Sequence, residues 1–211
     1  MKKVLWIVLL LGIITTILYF EGNQSFQKYT NEDFQIETYQ SRVDKDLDGI
    51  EDQADILQGV KDYLGKKPKY KSKYYETGYP NDQFGVCTDV VAFGLKSAGY
   101  DLMELVYEDV KKHQEDYSIK TIDKRIDFRR VRNLIIYFQK NTISLTTNIE
   151  EIDKWQGGDI VIFKKHIGIV SEHRNKKGIP YVYHHANPYQ KNYEEDILPY
   201  RKDIVGHYRM S

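Results

Sequence analysis

A single cysteine, Cys87, is present in 211 residues, so no disulfide can form within the chain. Proline is scarce, and no internal repeat is found, which excludes a solenoid or array. A basic surplus is missing as well. Lys and Arg number 31, Asp and Glu number 31, and the formal charge is zero. Bulk electrostatic binding to nucleic acid needs a basic excess or patch, so no nucleic-acid partner is expected. Disorder is excluded too, because 18 tyrosines give the chain ample surface to bury. Once the apolar N-terminus is set aside, enough residues remain for one domain with a real core.

The N-terminus carries a location signal. Lys2 and Lys3 precede an uninterrupted apolar run from Val4 to Phe20, and Glu21 follows it. At helical rise the run spans roughly 25 Å, the lower edge of what crosses a bilayer. The basic pair ahead of it places the N-terminus in the cytoplasm and the rest outside. A cleaved signal peptide is the alternative, but no small-residue cleavage site follows the run, and no cysteine follows for lipid attachment. The expectation is therefore a single-pass signal anchor over residues 1–21, a tether or irregular arm over 22–43, and one extracytoplasmic domain over 44–211.

Within that domain, helical periodicity comes first. Ile56, Leu57, Val60, Tyr63 and Leu64 share one face of a helix from about Asp52 to Leu64, with Gly65 as its C′ residue. A second helix begins near Cys87 and ends at Gly99. Asp101 caps a third, and a fourth runs from about Phe128 to Lys140. The period then turns extended. Ile160 to Phe163, His166 to Ser171, Pro180 to His185 and Ile204 to Arg209 read as short strands. Helices first and antiparallel strands after is an α+β layout.

Cys87 stands at a predicted helix start. Free backbone N–H groups and the positive end of the helix dipole there stabilise a thiolate and lower its pKa. A nucleophilic thiol needs a base and a group that orients the base. His166 opens one strand, with small Gly168 leaving room for a substrate. The next strand supplies His184 and His185, of which alternation lets only one face His166. Taken singly, Cys87 reads as a buried core residue and each histidine as a satisfied one. Taken together, their order along the chain points to catalysis.

Five segments in order carry a resemblance: Gly85-Val86-Cys87-Thr88-Asp89-Val90-Val91, Ile126 to Leu134, Gly158-Asp159-Ile160-Val161, His166-Ile167-Gly168-Ile169-Val170 and Gly206-His207-Tyr208-Arg209. From about Asp52 to the C-terminus the chain resembles the bacterial domain-of-unknown-function family 1287. That family is similar to the NlpC/p60 papain-like superfamily, whose members cleave amide bonds, often in peptidoglycan stem peptides. The resemblance implies a papain-like fold with Cys87 as nucleophile, His166 as base and His184 as the orienting residue, with His185 the alternative. It implies a cell-wall peptide substrate and no cofactor for catalysis. Val86 and Thr88 stand where peptidoglycan-cleaving members usually carry Asp and Ser. A non-catalytic peptide-binding module and a Cys-His acyltransferase are the rival expectations.

Ahead of the first helix, Asp44, Asp46, Asp48, Asp52 and Asp55 occupy positions 1, 3, 5, 9 and 12 of an acidic loop, with Gly49 at position 6. Carboxylates at that spacing suit an oxygen cage for Ca2+. A solvated acidic cap on the helix is the plainer reading. Among the remaining residues, Asp123, Asp127, Arg129 and Arg130 read as an internal salt-bridge network, and Trp155 and His207 as structural.

Overall fold

The computed structural model describes residues 27–210. The expected anchor at 1–21 lies outside the described residues. Among the described residues no helix is long and apolar enough to cross a membrane.

Helix α1 (Asp52–Gly65) starts where Glu51 caps it, the Glu51 carboxylate accepting from Gln53 N and Ala54 N. Its face of Ile56, Val60, Tyr63 and Leu64 is buried, as the periodicity required. Gly65 does not take the left-handed turn expected of it. Lys67, at φ 53°, does so two residues later. Helix α2 (Cys87–Ser97) lies close against α1, because both present glycine at the crossing. A Cβ on Gly59 would lie 2.4 Å from the Ser97 Cβ, and one on Gly94 would lie 2.6 Å from Val60 Cγ2. Helix α3 (Leu102–Lys112) is capped by Asp101, whose side chain accepts from Met103 N and Glu104 N. The fourth expected helix starts later than read, as α5 (Val131–Asn141), and an additional single turn, α4 (Lys124–Asp127), precedes it. Extended Arg130 separates them.

Two short strands, β1 (Lys69–Tyr70) and β2 (Phe84–Gly85), pair in parallel beside the start of α2. The remaining strands are β3 (Ile143–Ser144), β4 (Ile160–Phe163), β5 (His166–Arg174), β6 (Pro180–Tyr183), β7 (Glu194–Glu195) and β8 (Ile204–Arg209). They form one antiparallel sheet in the order β3-β8-β4-β5-β6-β7. The protein is thus α+β, with helices on a small antiparallel sheet.

Both sheet faces are covered, which is why β4 reads as an unbroken apolar run rather than alternating. Ile160, Ile162, Ile167 and Ile169 pack toward the helices with Val90, Val91 and Leu95. Val161, Phe163, Val170 and Val182 pack on the other side with Trp155 and Leu198. The segment read as a tether or irregular arm is an arm from Tyr29 on. Tyr29 exchanges two backbone hydrogen bonds with Arg174, at 2.9 and 2.7 Å. Asn31 bonds Arg174 and Gln156.

Candidate functional site

Cys87 is the first residue of α2 and is half-buried. Behind it, Asp89 accepts from Val86 N and forms a two-pronged pair with Arg129, at 2.6 and 2.9 Å. Both partners are buried, so the helix start is fixed rather than frayed. Of the charged group near residue 127, Arg129 thus belongs to an internal ion pair, as read, and its partner is Asp89.

The thiol meets the sheet at a gap. Strand β6 ends at Tyr183, opposite Ile169, so Ile167, paired with Ile162 of β4, has no ladder partner on its β6 side. The amides of Ile167, Thr88 and Cys87 turn to the sulfur instead and favour its ionised form. Burial outweighs them and pushes the thiol up to about 11. The expectation of a thiol acidified by the helix start is therefore corrected: desolvation by the surrounding core exceeds what the N–H groups return.

His166 and His184 come together. His166 Nε2 lies 3.0 Å from His184 Nδ1, and the rings meet edge to face. The β5–β6 register places both on the sheet face away from α2, with His166 stacked on Phe163. His166 is also the residue next to Ile167, whose amide the thiol reaches. Among the described residues no hydrogen bond joins the thiol to either ring. Burial, then Arg201, lowers His166 to about 4. Burial, then His166 itself, lowers His184 to about 3. Glu195 Oε2 lies 3.1 Å from His184 Nε2.

His185 turns the other way, its ring edge-on to Tyr70 and Tyr193 and its Nδ1 buried without a partner. Gly168 does not make room for a substrate. A Cβ there would lie 2.6 Å from Val182 Cγ1, 2.7 Å from Tyr183 O and 3.3 Å from the His184 Cβ, so the glycine admits the strand that carries His184. Beyond Glu195 opens a groove of mixed charge lined by Lys61, Lys67, Lys191, Glu194, Glu195 and Asp196, and none of Cys87, His166 and His184 lines it. Glu195 and the groove carried no readable sequence signal.

The buried histidines set a pH dependence of stability. Both have folded values below the ordinary 6.5, so the unfolded chain binds more protons between about pH 4 and 6.5. Stability is lost as pH falls through that window, by roughly 2–3 kcal/mol per histidine. Asp55, pushed up to about 6 by burial and then by Asp48, Asp46, Asp44 and Asp52, acts in the opposite sense. Denaturant titrations at pH 7 and pH 5 are expected to show a smaller loss in His184→Gln than in the parent. An equal loss in both would remove His184 from the account.

In the acidic loop, Asp44, Asp46 and Asp48 bring carboxylate oxygens within 4.8 Å of one another. Asp52 is engaged elsewhere, accepting from Lys45 N at 2.8 Å and from the Tyr100 hydroxyl. Trp155 and His207 are structural, stacked at 3.8 Å between ring centroids.

Residues 57–210 match the family described as "Domain of unknown function (DUF1287)". The chain is 35% identical to "Uncharacterized protein YijF" of Escherichia coli (strain K12) over 167 residues, covering 73% of this chain and 80% of that protein. No solved structure matches it significantly. Cys87, His166 and His184 all fall inside the matched region, whereas the acidic loop precedes it, and on the extent of both matches the chain belongs to the DUF1287 family.

Proposed function

We propose that the protein is a cysteine hydrolase of papain-like, NlpC/p60 type, held at the outer face of a bacterial membrane by residues 1–21. Its substrate is an amide bond in cell-wall peptide. One observation carries this reading: the chain's lone thiol stands at a helix N-terminus against Ile167, and the preceding residue of that strand is a histidine whose far nitrogen is held by a second histidine, although the imidazole lies on the opposite face of the strand.

The ring arrangement suits a base. The Glu195 carboxylate favours a proton on His184 Nε2. Gln190 Nε2 also approaches that nitrogen, but at 3.4 Å, and it makes shorter bonds to the carbonyls of Asn192 and His184. His184 Nδ1 is then an acceptor, His166 Nε2 its donor, and His166 Nδ1 carries the free lone pair. Among the described residues that atom has no hydrogen-bond partner. Because His166 and Cys87 lie on opposite faces of β5, the reaction requires His166, the first residue of the strand, to turn toward the thiol in the complex, where catalytic contacts absent without substrate form.

The thiol and imidazole are both neutral at pH 7, so proton transfer accompanies attack. The Cys87 proton passes to His166 Nδ1 as Sγ bonds the amide carbon. The tetrahedral oxyanion is stabilised by N–H groups of the first turn of α2. His166 returns the proton to the departing amine, leaving a thioester. Water then loses a proton to His166, adds to the thioester and releases the acid, and the thiol is restored.

Purified muropeptides incubated with the full chain in detergent should gain water at one amide bond, read by mass spectrometry. An added amine that replaces water in the product would make the protein an acyltransferase. Muropeptides left intact, or cleaved equally by Cys87→Ala, would overturn the reading.

A further inference from the structure

The acidic loop holds a feature that the hydrolase chemistry does not use. Asp55, on the first turn of α1, is 5% exposed, and its Oδ2 is buried with no hydrogen-bond partner. A buried carboxylate oxygen without a partner costs free energy unless something neutralises it. After burial, the carboxylates of Asp48, Asp46, Asp44 and Asp52 raise the pKa of Asp55, in that order, so the loop's charges lie close to it. Asp44, Asp46 and Asp48 are themselves partly or fully exposed and share one small volume.

Three clustered carboxylates close to a fourth that is buried and unpaired repel one another. A divalent cation at the centre removes the repulsion and gives Asp55 Oδ2 its missing partner. We propose that Asp44, Asp46, Asp48 and Asp55 bind a calcium ion. Oxygen donors alone select a hard cation, and several carboxylates on a flexible loop favour Ca2+ over the smaller, more rigidly octahedral Mg2+. Asp52 is not a ligand: it is buried, accepts from Lys45 N and the Tyr100 hydroxyl, and lies outside the carboxylate cluster, whereas Asp44, which also accepts from the loop amides of Asp48 and Gly49, lies within it.

The site has a structural task. Gly99, just after α2, takes φ +76°, and a Cβ there would lie 3.1 Å from the Asp46 Cβ. Lys45 lies over the Tyr100 ring at 4.9 Å. The loop therefore rests on the far end of the helix whose first residue is Cys87. An ion bridging the loop to Asp55 ties α1 to that end of α2. The loop lies ahead of the family match.

The full chain, stripped with EGTA, is expected to melt roughly 3–5 °C higher in 5 mM CaCl2, for a site with a Kd near 10⁻³–10⁻⁴ M. MgCl2 at the same concentration should give a clearly smaller rise. The double variant Asp44→Asn/Asp48→Asn should fold and lose the calcium response. Asp55→Asn removes the buried unpaired charge, so it should melt above the stripped parent and also lose the response. No rise at 5 mM CaCl2, or a rise that survives in Asp44→Asn/Asp48→Asn, would overturn the site. Neither result depends on whether the protein cleaves any substrate.

Discussion

Cys87→Ala is expected to remove muropeptide cleavage by about 10⁴-fold or more while leaving stability within about 1 kcal/mol of the parent. The chemistry runs through one covalent bond, and alanine cannot form it. His166→Ala should cost a similar factor, and the double variant no more than either single change, because the two act as one unit. His184→Ala should cost less, since it only fixes the ring of His166. Its loss would free His166 Nε2 and let the base rotate or take the wrong tautomer. The pH profile supplies a signature that a structural role would not. His166 accepts the thiol proton only when neutral, and burial holds it at about 4. Activity should therefore persist at pH 5.5 and fall off well below the ordinary histidine value of 6.5. An acid limb centred near 6.5 would mean that the working base is exposed and is not His166.

The parts of this site that were legible in the sequence are those set by local pattern. The apolar face Ile56, Val60, Tyr63, Leu64 gave α1, and the run Ile160 to Phe163 with His166 to Val170 gave the β4–β5 hairpin. Cys87 as a helix start followed from the apolar spacing behind it. The pairing of His184 with His166 was left open against His185, and strand register decides it. What stayed hidden depends on partners distant in sequence. The thiol's environment is one case, because desolvation comes from core residues of the sheet and helices together and no dipole argument contains it. The arm over residues 27–43 is another. It shows no apolar period, because it is held by the backbone of Tyr29 and by the side chain of Asn31 rather than by a greasy face. The boundary near Phe128 was missed because apolar spacing continues through Arg130, where the backbone turns extended.

Asp159 is the largest such omission, and it carries the second large prediction. In sequence it closes a Gly157-Gly158-Asp159 turn, and nothing there announces its role. In the fold it is fully buried and receives five donors: Arg209 at 2.7 and 2.8 Å, His207 Nε2 at 3.0 Å, Gln53 Nε2 at 2.9 Å and Gln156 N at 2.9 Å. These come from β8, from α1 and from the turn itself, so one carboxylate joins the helical layer to two adjacent strands. The arm closes over it, Tyr39 lying 3.9 Å from the Arg209 guanidinium. Asp159→Ala removes the one carboxylate that, among the described residues, pairs with the largely buried Arg209 guanidinium, and leaves several donors without acceptors. Removing one partner of such a pair costs about 3–5 kcal/mol, because the remaining charge stays desolvated. Asp159→Asn keeps the shape but not the charge, and its amide N–H groups face other donors, so it should recover little. The expected loss is most of the stability of an ordinary domain, and a fall of roughly 10–15 °C in Tm. Equilibrium urea unfolding is the measurement. A loss under about 1 kcal/mol would mean that Arg209 reaches solvent when Asp159 is absent, and that the joint is held by packing of Trp155 on His207 instead. Because Gln53 lies between Asp52 and Asp55, the same substitution should also loosen the acidic loop. The calcium-dependent rise in Tm should then shrink in Asp159→Asn even though no proposed ligand has been touched.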